Sequence, residues 1–353
     1  VTTKRETAVV ICPGRGTYTK TELGYLKQHH RPDCAPFLDA LDARLAAIGQ
    51  PTVSELDGAA QFSPKTHTPG EYASTLIYAC SHADYLAIDR ERFDIVAVTG
   101  NSMGWYTALA CAGALGDPVR DAAPFTLVHT MGSMMKDGVI GGQMIYPITG
   151  DDWRPDADKA GLVTKAIAEV NLLDGAEVYL SIKFGGYAII GGNERGLSVL
   201  MKSLPPTADG RYPFQLVNHA AFHTPLLRDT SQRAFELLGE DLFQAPTVPM
   251  IDGRGVIWQP YSTDVAALRQ YTLGHQVTET YDFSAAVSVA LKEFAPDRLI
   301  LVGPGATSGG AIGQILIENA WLGLKDKSGF SQYQEENPYL IAMGRPEQRT
   351  RVI

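Results

Sequence analysis

The sequence predicts an α/β protein: a large domain built on a parallel sheet, with a ferredoxin-like subdomain inserted in it. Three observations carry that expectation. Short apolar runs of strand length alternate with stretches of helical spacing. Three of those runs end in glycine-rich turns, as strands of a parallel sheet do before a helix. The middle of the chain breaks the pattern with short strands and two helices. A chain of 353 residues suits one large unit and a smaller one.

The elements follow in order. Ala8–Cys12 is an apolar run closed by Pro13-Gly14-Arg15-Gly16 and reads as the first strand. Phe37–Ile48 and Gly70–Ala87 carry apolar residues at helical spacing. Phe93–Val98 is a second strand, followed by a glycine-flanked turn and a helix over about Trp105 to Ala114. Met144–Ile148, Tyr187–Ile190 and Phe214–Val217 read as short strands, and Lys159–Glu169 and Glu194–Ser203 as helices. They define a small subdomain over 139–217, inside a large domain made of 1–138 and 218–353. The crossings are Lys136–Gly142 and Val217–Ala221. Leu226–Leu238 is a helix, and Arg298–Val302 is an apolar strand running into Gly303-Pro304-Gly305. The polar region after Leu324 is expected to wrap the surface, and the termini to be mobile.

Composition narrows the function classes. The net charge of −9 speaks against non-specific nucleic-acid binding, which rests on neutralising phosphates. No run approaches the ~18 apolar residues that span a bilayer, so no membrane role is expected. Four cysteines outside any zinc-ligand spacing point to a reduced cytoplasmic setting rather than a disulfide scaffold.

The most specific chemical signal is Gly100-Asn101-Ser102-Met103-Gly104, a G-x-S-x-G with a strand before it and a helix after it. That turn lifts a serine hydroxyl clear of the sheet, and the glycines make room for it. Ser102 is the candidate nucleophile. The backbone N–H of Met103, at the positive end of the helix, is a candidate oxyanion donor. A serine hydroxyl needs a base. Among eight histidines His223 stands out, on the loop Ala220–Pro225 between a strand and a helix. His219 and His223 share the spacing of a zinc-protease motif without its glutamate or a third ligand, so no metal is expected.

Several separated motifs together resemble the malonyl-CoA:acyl-carrier-protein transacylases, in the acyltransferase superfamily of fatty acid and polyketide synthesis. Ile11–Gly16 resembles the N-terminal F-P-G-Q-G, Gly100–Gly104 the G-H-S-L-G elbow, and Trp105–Leu109 its E-Y-S-A-L continuation. Ala221–Leu226 resembles the catalytic-histidine loop, and Ala245–Pro249 and Gly303–Gly305 two C-terminal landmarks. The order holds over about residues 8–315. The resemblance implies an α/β-hydrolase-like large domain and the ferredoxin-like insertion. It implies a ping-pong acyl transfer through acyl-Ser102, with His223 as general base. The donor would be an acyl-CoA or another acyl thioester, and the acceptor the phosphopantetheine arm of an acyl carrier protein. No fixed cofactor is implied. A backbone carbonyl, not an aspartate, would orient His223.

The departures from that family are informative. Malonyl-specific members pair the substrate carboxylate with an arginine in a segment like L-V-x-x-R-G-x-x-M. Here that position is Met131, and a thioether cannot neutralise a carboxylate. Asn101 replaces the histidine beside the nucleophile. Both residues are candidate substrate contacts, and together they point away from malonyl and toward an uncharged acyl group, unless Lys183 or Arg15 supplies the missing cation. The oxyanion-hole glutamine is Arg15, and a second glutamine position matches Asp282 in Tyr281–Ser284. Opposite charges there suggest an Arg15–Asp282 pair at the site, against a solvated Arg15 and a turn-forming Asp282. Lys183, Lys202 and Arg211 are candidates for a local basic patch that would meet an acidic carrier. Two rival readings stand. One is a thioester hydrolase using water at the same Ser–His site; the other is a non-catalytic partner that binds a carrier or an enzyme.

Overall fold

The computed structural model describes residues 4–29 and 31–353. Strand β1 (Glu6–Cys12) buries Ala8 to Cys12 completely, which places it at the centre of a sheet covered on both faces. Helices α1 (Ala35–Ala47) and α2 (Gly70–Ala87) lead to β2 (Phe93–Gly100). Helices α3 (Gly104–Cys111) and α4 (Ala123–Ser133) follow, and α2 packs on both. β2 runs parallel to β1 with Cys12 opposite Gly100. The turns after the two strands, Pro13–Gly16 and Asn101–Met103, therefore emerge side by side.

The insertion contains β3 (Gly142–Pro147), α5 (Ala157–Val170), β4 (Val178–Phe184), β5 (Tyr187–Gly192), α6 (Glu194–Ser203) and β6 (Phe214–Leu216). Its strands pair antiparallel in the order β6-β3-β5-β4. Val163, Val170, Leu197 and Leu200 of the two helices pack on Met144, Val178 and Ile190 of the sheet, a core separate from that of the large domain. The chain then returns through α7 (Arg228–Leu237), β7 (Met250–Ile251) and β8 (Ile257–Trp258). β9 (Tyr281–Asp282), α8 (Phe283–Phe294), β10 (Arg298–Leu301), α9 (Ser308–Glu318), α10 (Lys327–Glu336) and β11 (Leu340–Ala342) complete it. The large sheet has the order β11-β10-β1-β2-β7-β8, parallel but for the last pair. β9 joins the small sheet, with Ile182 beside Tyr281 and Lys183 beside Asp282. The two sheets are thus tied together by the C-terminal segment. No described helix is long and apolar enough to cross a membrane.

The C-terminal region differs from the expected polar wrap. β11 is an edge strand of the large sheet, paired with β10. Its outer edge is closed by side chains: the Gln334 amide binds both backbone groups of Leu340, and Gln348 accepts from Ala342 N–H. These amides stand in for a further strand and shield an edge that would otherwise recruit one. Val352 is fully buried, so the C-terminus is packed rather than mobile. Arg349 is buried too, with Nη1 2.5 Å from the carboxylate of Asp84 on α2. A polar composition hides such a strap because its glutamines and arginine are satisfied inside the fold.

Candidate active site

The turn between β2 and α3 is sharp, and Ser102 has a left-handed backbone, φ 54°. A Cβ on Gly100 would collide with the carbonyl of Gly104, and one on Gly104 with the carbonyl of Cys12. Only glycine lets α3 start this close to both strands. Ser102 Oγ lies 2.7 Å from Nε2 of His223. His223 is also left-handed, φ 60°, and its N–H donates to Val277 O at 2.8 Å. The other ring nitrogen, Nδ1, is 2.5 Å from the backbone carbonyl of Gln276. A carbonyl only accepts, so Nδ1 carries the proton and Nε2 faces the serine as a base. Among the described residues no carboxylate bonds to the ring.

Gln276 does more than orient the histidine. Its side-chain Nε2 donates to the carbonyl of Ser102 at 3.1 Å, and its Oε1 accepts from the hydroxyl of Tyr106 at 2.9 Å. One residue therefore holds both ends of the Ser–His pair. Tyr281 closes the wall behind them: its ring lies 5.3 Å from that of His223, and its hydroxyl binds Gly100 O. Replacing Gln276 with Ala leaves the backbone carbonyl but frees the elbow, and turnover should fall by about tenfold with His223 titration unchanged. A steady-state comparison across pH checks both.

Burial pushes the His223 imidazole down to about 4; the Gln276 carbonyl opposes this and nearby His275 adds to it. The group is neutral, hence a competent base, above that value, and is lost as a base once pH falls through it. The acid limb of the reaction should lie near about 4, well below the 6.5 of an ordinary imidazole, and a pH–rate profile of serine acylation reads it directly.

Ser102 and His223 open on a cavity of about 510 Å³ between the two domains. Arg15, Asn101, Met103 and Met131 all line it. The N–H of Met103, just before α3, makes no hydrogen bond within the described protein and is free for an oxyanion. Met131 is buried in α4. Asn101 keeps its Oδ1 buried and unpaired among the described residues.

Asp282 is the correction. It does not line the cavity. It caps α8, accepting from Ala285 N–H at 2.8 Å, and pairs with Lys183 at 2.8 Å. The β4–β9 register sets this pairing by placing the two residues side by side. The expected Arg15–Asp282 pair is therefore absent; Arg15 instead donates to the backbone carbonyl of Asn218. Gln276, earlier in the same segment, is the glutamine that reaches the site. Its residue type was the one available signal, and the sequence reading missed it. Lys183 is committed to Asp282 and also lies off the cavity.

No protein-family model matches this chain, and no curated protein matches it. Solved structures do. The malonyl-CoA:acyl carrier protein transacylase of Xanthomonas oryzae pv. oryzae superposes with a TM-score of 0.71 at 19% identity, covering 99% of this chain and 98% of that one. The malonyl-CoA:ACP transacylase of Synechocystis sp. PCC 6803 gives 0.73 at 16% identity, over 98% and 100%. The fold is that of the malonyl transacylases. A third match is a malonyl-transacylase bound to its type II polyketide synthase acyl-carrier protein, with a TM-score of 0.71 at 18% identity, over 98% of this chain and 99% of that one. Agreement over nearly the whole length of both partners covers the large domain and the insertion alike.

Proposed function

We propose that this chain is an acyltransferase that moves an acyl group from a thioester, of CoA or a carrier protein, to an acyl carrier protein. The observation that carries the reading is the 2.7 Å contact between Ser102 Oγ and a base-configured His223 inside a domain-spanning cavity. His223 Nε2 takes the serine proton as Oγ bonds to the thioester carbon. The backbone N–H of Met103 receives the oxyanion. The C–S bond then breaks, and the leaving thiolate takes the proton from His223. A second thiol, deprotonated by the same nitrogen, reverses the sequence and carries the acyl group away.

The acceptor follows from the chemistry of an arm that must enter a cavity, and a carrier complex is known for a protein of this fold. The acyl group we propose is not malonyl: by the resemblance Met131 stands at the position of the malonyl-pairing arginine, and its thioether gives a carboxylate no counter-charge.

Intact-protein mass spectrometry tests this. Incubation with a panel of acyl-CoAs should give a covalent adduct that is absent in Ser102→Ala, and addition of carrier protein should discharge it onto the carrier. Thioester consumption with no carrier product would instead establish a hydrolase.

A further inference from the structure

The cavity holds a charge that the protein does not neutralise. None of its described lining residues is an aspartate or glutamate, although the chain as a whole carries −9. Two arginines line it. Arg211, at the small domain, has Asp209 as an exposed partner at 3.8 Å. Arg15 has no acidic partner among the described residues, and one protein acceptor, the carbonyl of Asn218. A guanidinium has five N–H donors in a planar fork that matches a carboxylate. Most of that fork is unused, in a part of the protein where burial lowers its pKa to about 10 and so disfavours its charge. His219 beside it is neutral, pushed down to about 3 by burial and by Arg15 itself.

The guanidinium also has a defined place. It lies against the start of α2, where a side-chain carbon on Gly70 would come within 2.8 Å of Nη1. The same carbon would meet the carbonyl of Gly132, the residue after Met131. The cation thus stands beside the turn of α4 that presents Met131. Met131 and Met135 offer thioethers, and Phe222 and Ile189 add apolar surface.

We infer, resting on the acyl-enzyme reading above, that Arg15 is the specificity-determining cation and that the acyl group is a dicarboxylic one longer than malonyl. Its distal carboxylate pairs with the Arg15 fork, and its methylenes lie along Met131 and Met135. The length rests on the lining: Met131 and Met135 offer apolar surface that the single methylene of malonyl would leave uncovered. This replaces the uncharged acyl group expected from Met131 alone.

The test uses pairs of the same shape and opposite charge character. Succinyl-CoA is compared with isocaproyl-CoA, in which an isopropyl group stands in for the carboxylate, and with malonyl-CoA. The rate of acyl-Ser102 formation is read by intact-protein mass spectrometry. The native chain should prefer succinyl to both others. Arg15→Met should lower the succinyl-to-isocaproyl rate ratio by about 30-fold, and Arg15→Lys should restore part of it. A purely structural clasp between Arg15 and Asn218 would slow both substrates together, and an unchanged ratio in Arg15→Met overturns the inference. So does a native preference for isocaproyl or for malonyl. No adduct from any acyl-CoA overturns the acyl-enzyme reading itself, and the inference with it.

Discussion

Ser102→Ala should lower acyl transfer by at least about a thousandfold, and His223→Ala by a similar factor. The reason is geometric. Oγ and Nε2 form one hydrogen-bonded unit at 2.7 Å. Loss of the base leaves a hydroxyl that gives up its proton only to water; loss of the hydroxyl leaves a base with nothing to activate. The double variant should therefore be little worse than either single one, because the pair acts together. The oxyanion donor and the cavity remain, so acyl-CoA should still bind to Ser102→Ala. Single-turnover kinetics with the native chain and all three variants would read the pattern. Additive losses would mean that the serine and the histidine serve separate steps.

Asp84→Ala should cost about 3–5 kcal/mol of stability, the expected penalty for stripping one partner from a buried ion pair. Asp84 lies on α2, and both it and Arg349 are almost wholly buried. The carboxylate takes three donors. Arg349 Nη1 and Tyr25 Oη approach it at 2.5 and 2.6 Å, and Gly303 N–H at 2.8 Å. Arg349 also reaches the Tyr25 hydroxyl at 3.3 Å, closing the network. Without Asp84 a guanidinium is left buried, and the N–H of Gly303 is left unpaired. The effect extends toward the cavity, because Gly303 begins the loop that ends at its wall residues Thr307 and Ser308. Replacing Asp84 and Arg349 together by apolar residues of similar volume should be milder than either single change, since no orphan charge remains. Urea denaturation of the two singles and the double measures this. A milder single than double would mean that the network contributes through each charge independently.

The elbow was legible in the sequence because its causes are local. A buried strand, two glycines around a serine, and a helix start all fall within a short contiguous stretch, Phe93–Cys111. The sterics that demand glycine at 100 and 104 act between near neighbours and across one strand pair. The insertion was legible as alternating short elements, although β4 escaped notice and β9 comes from outside 139–217. His223 emerged through its loop motif. Its orienting partner did not, since a backbone carbonyl leaves no mark on residue type. Gln276 is 53 positions away in the chain, and the side-chain bonds to Ser102 and Tyr106 exist only once the π-helical turn over Tyr271–His275 delivers it.

Charge pairing was the part the sequence read wrongly. Arg15 and Asp282 have opposite signs and both fall on family landmarks, yet Asp282 meets Lys183 and Arg15 meets a carbonyl. Coulombic energy depends on separation in space, and a two-residue strand pairing decides that separation here. By itself the sequence determined the α/β class, the inserted subdomain and the serine on its elbow, because strand, turn and helix signals act over a few residues. Only the tertiary structure decided which carbonyl orients the histidine, which acid meets which base, and that Arg15 faces the cavity without an acidic partner, because those contacts join segments that no local rule connects.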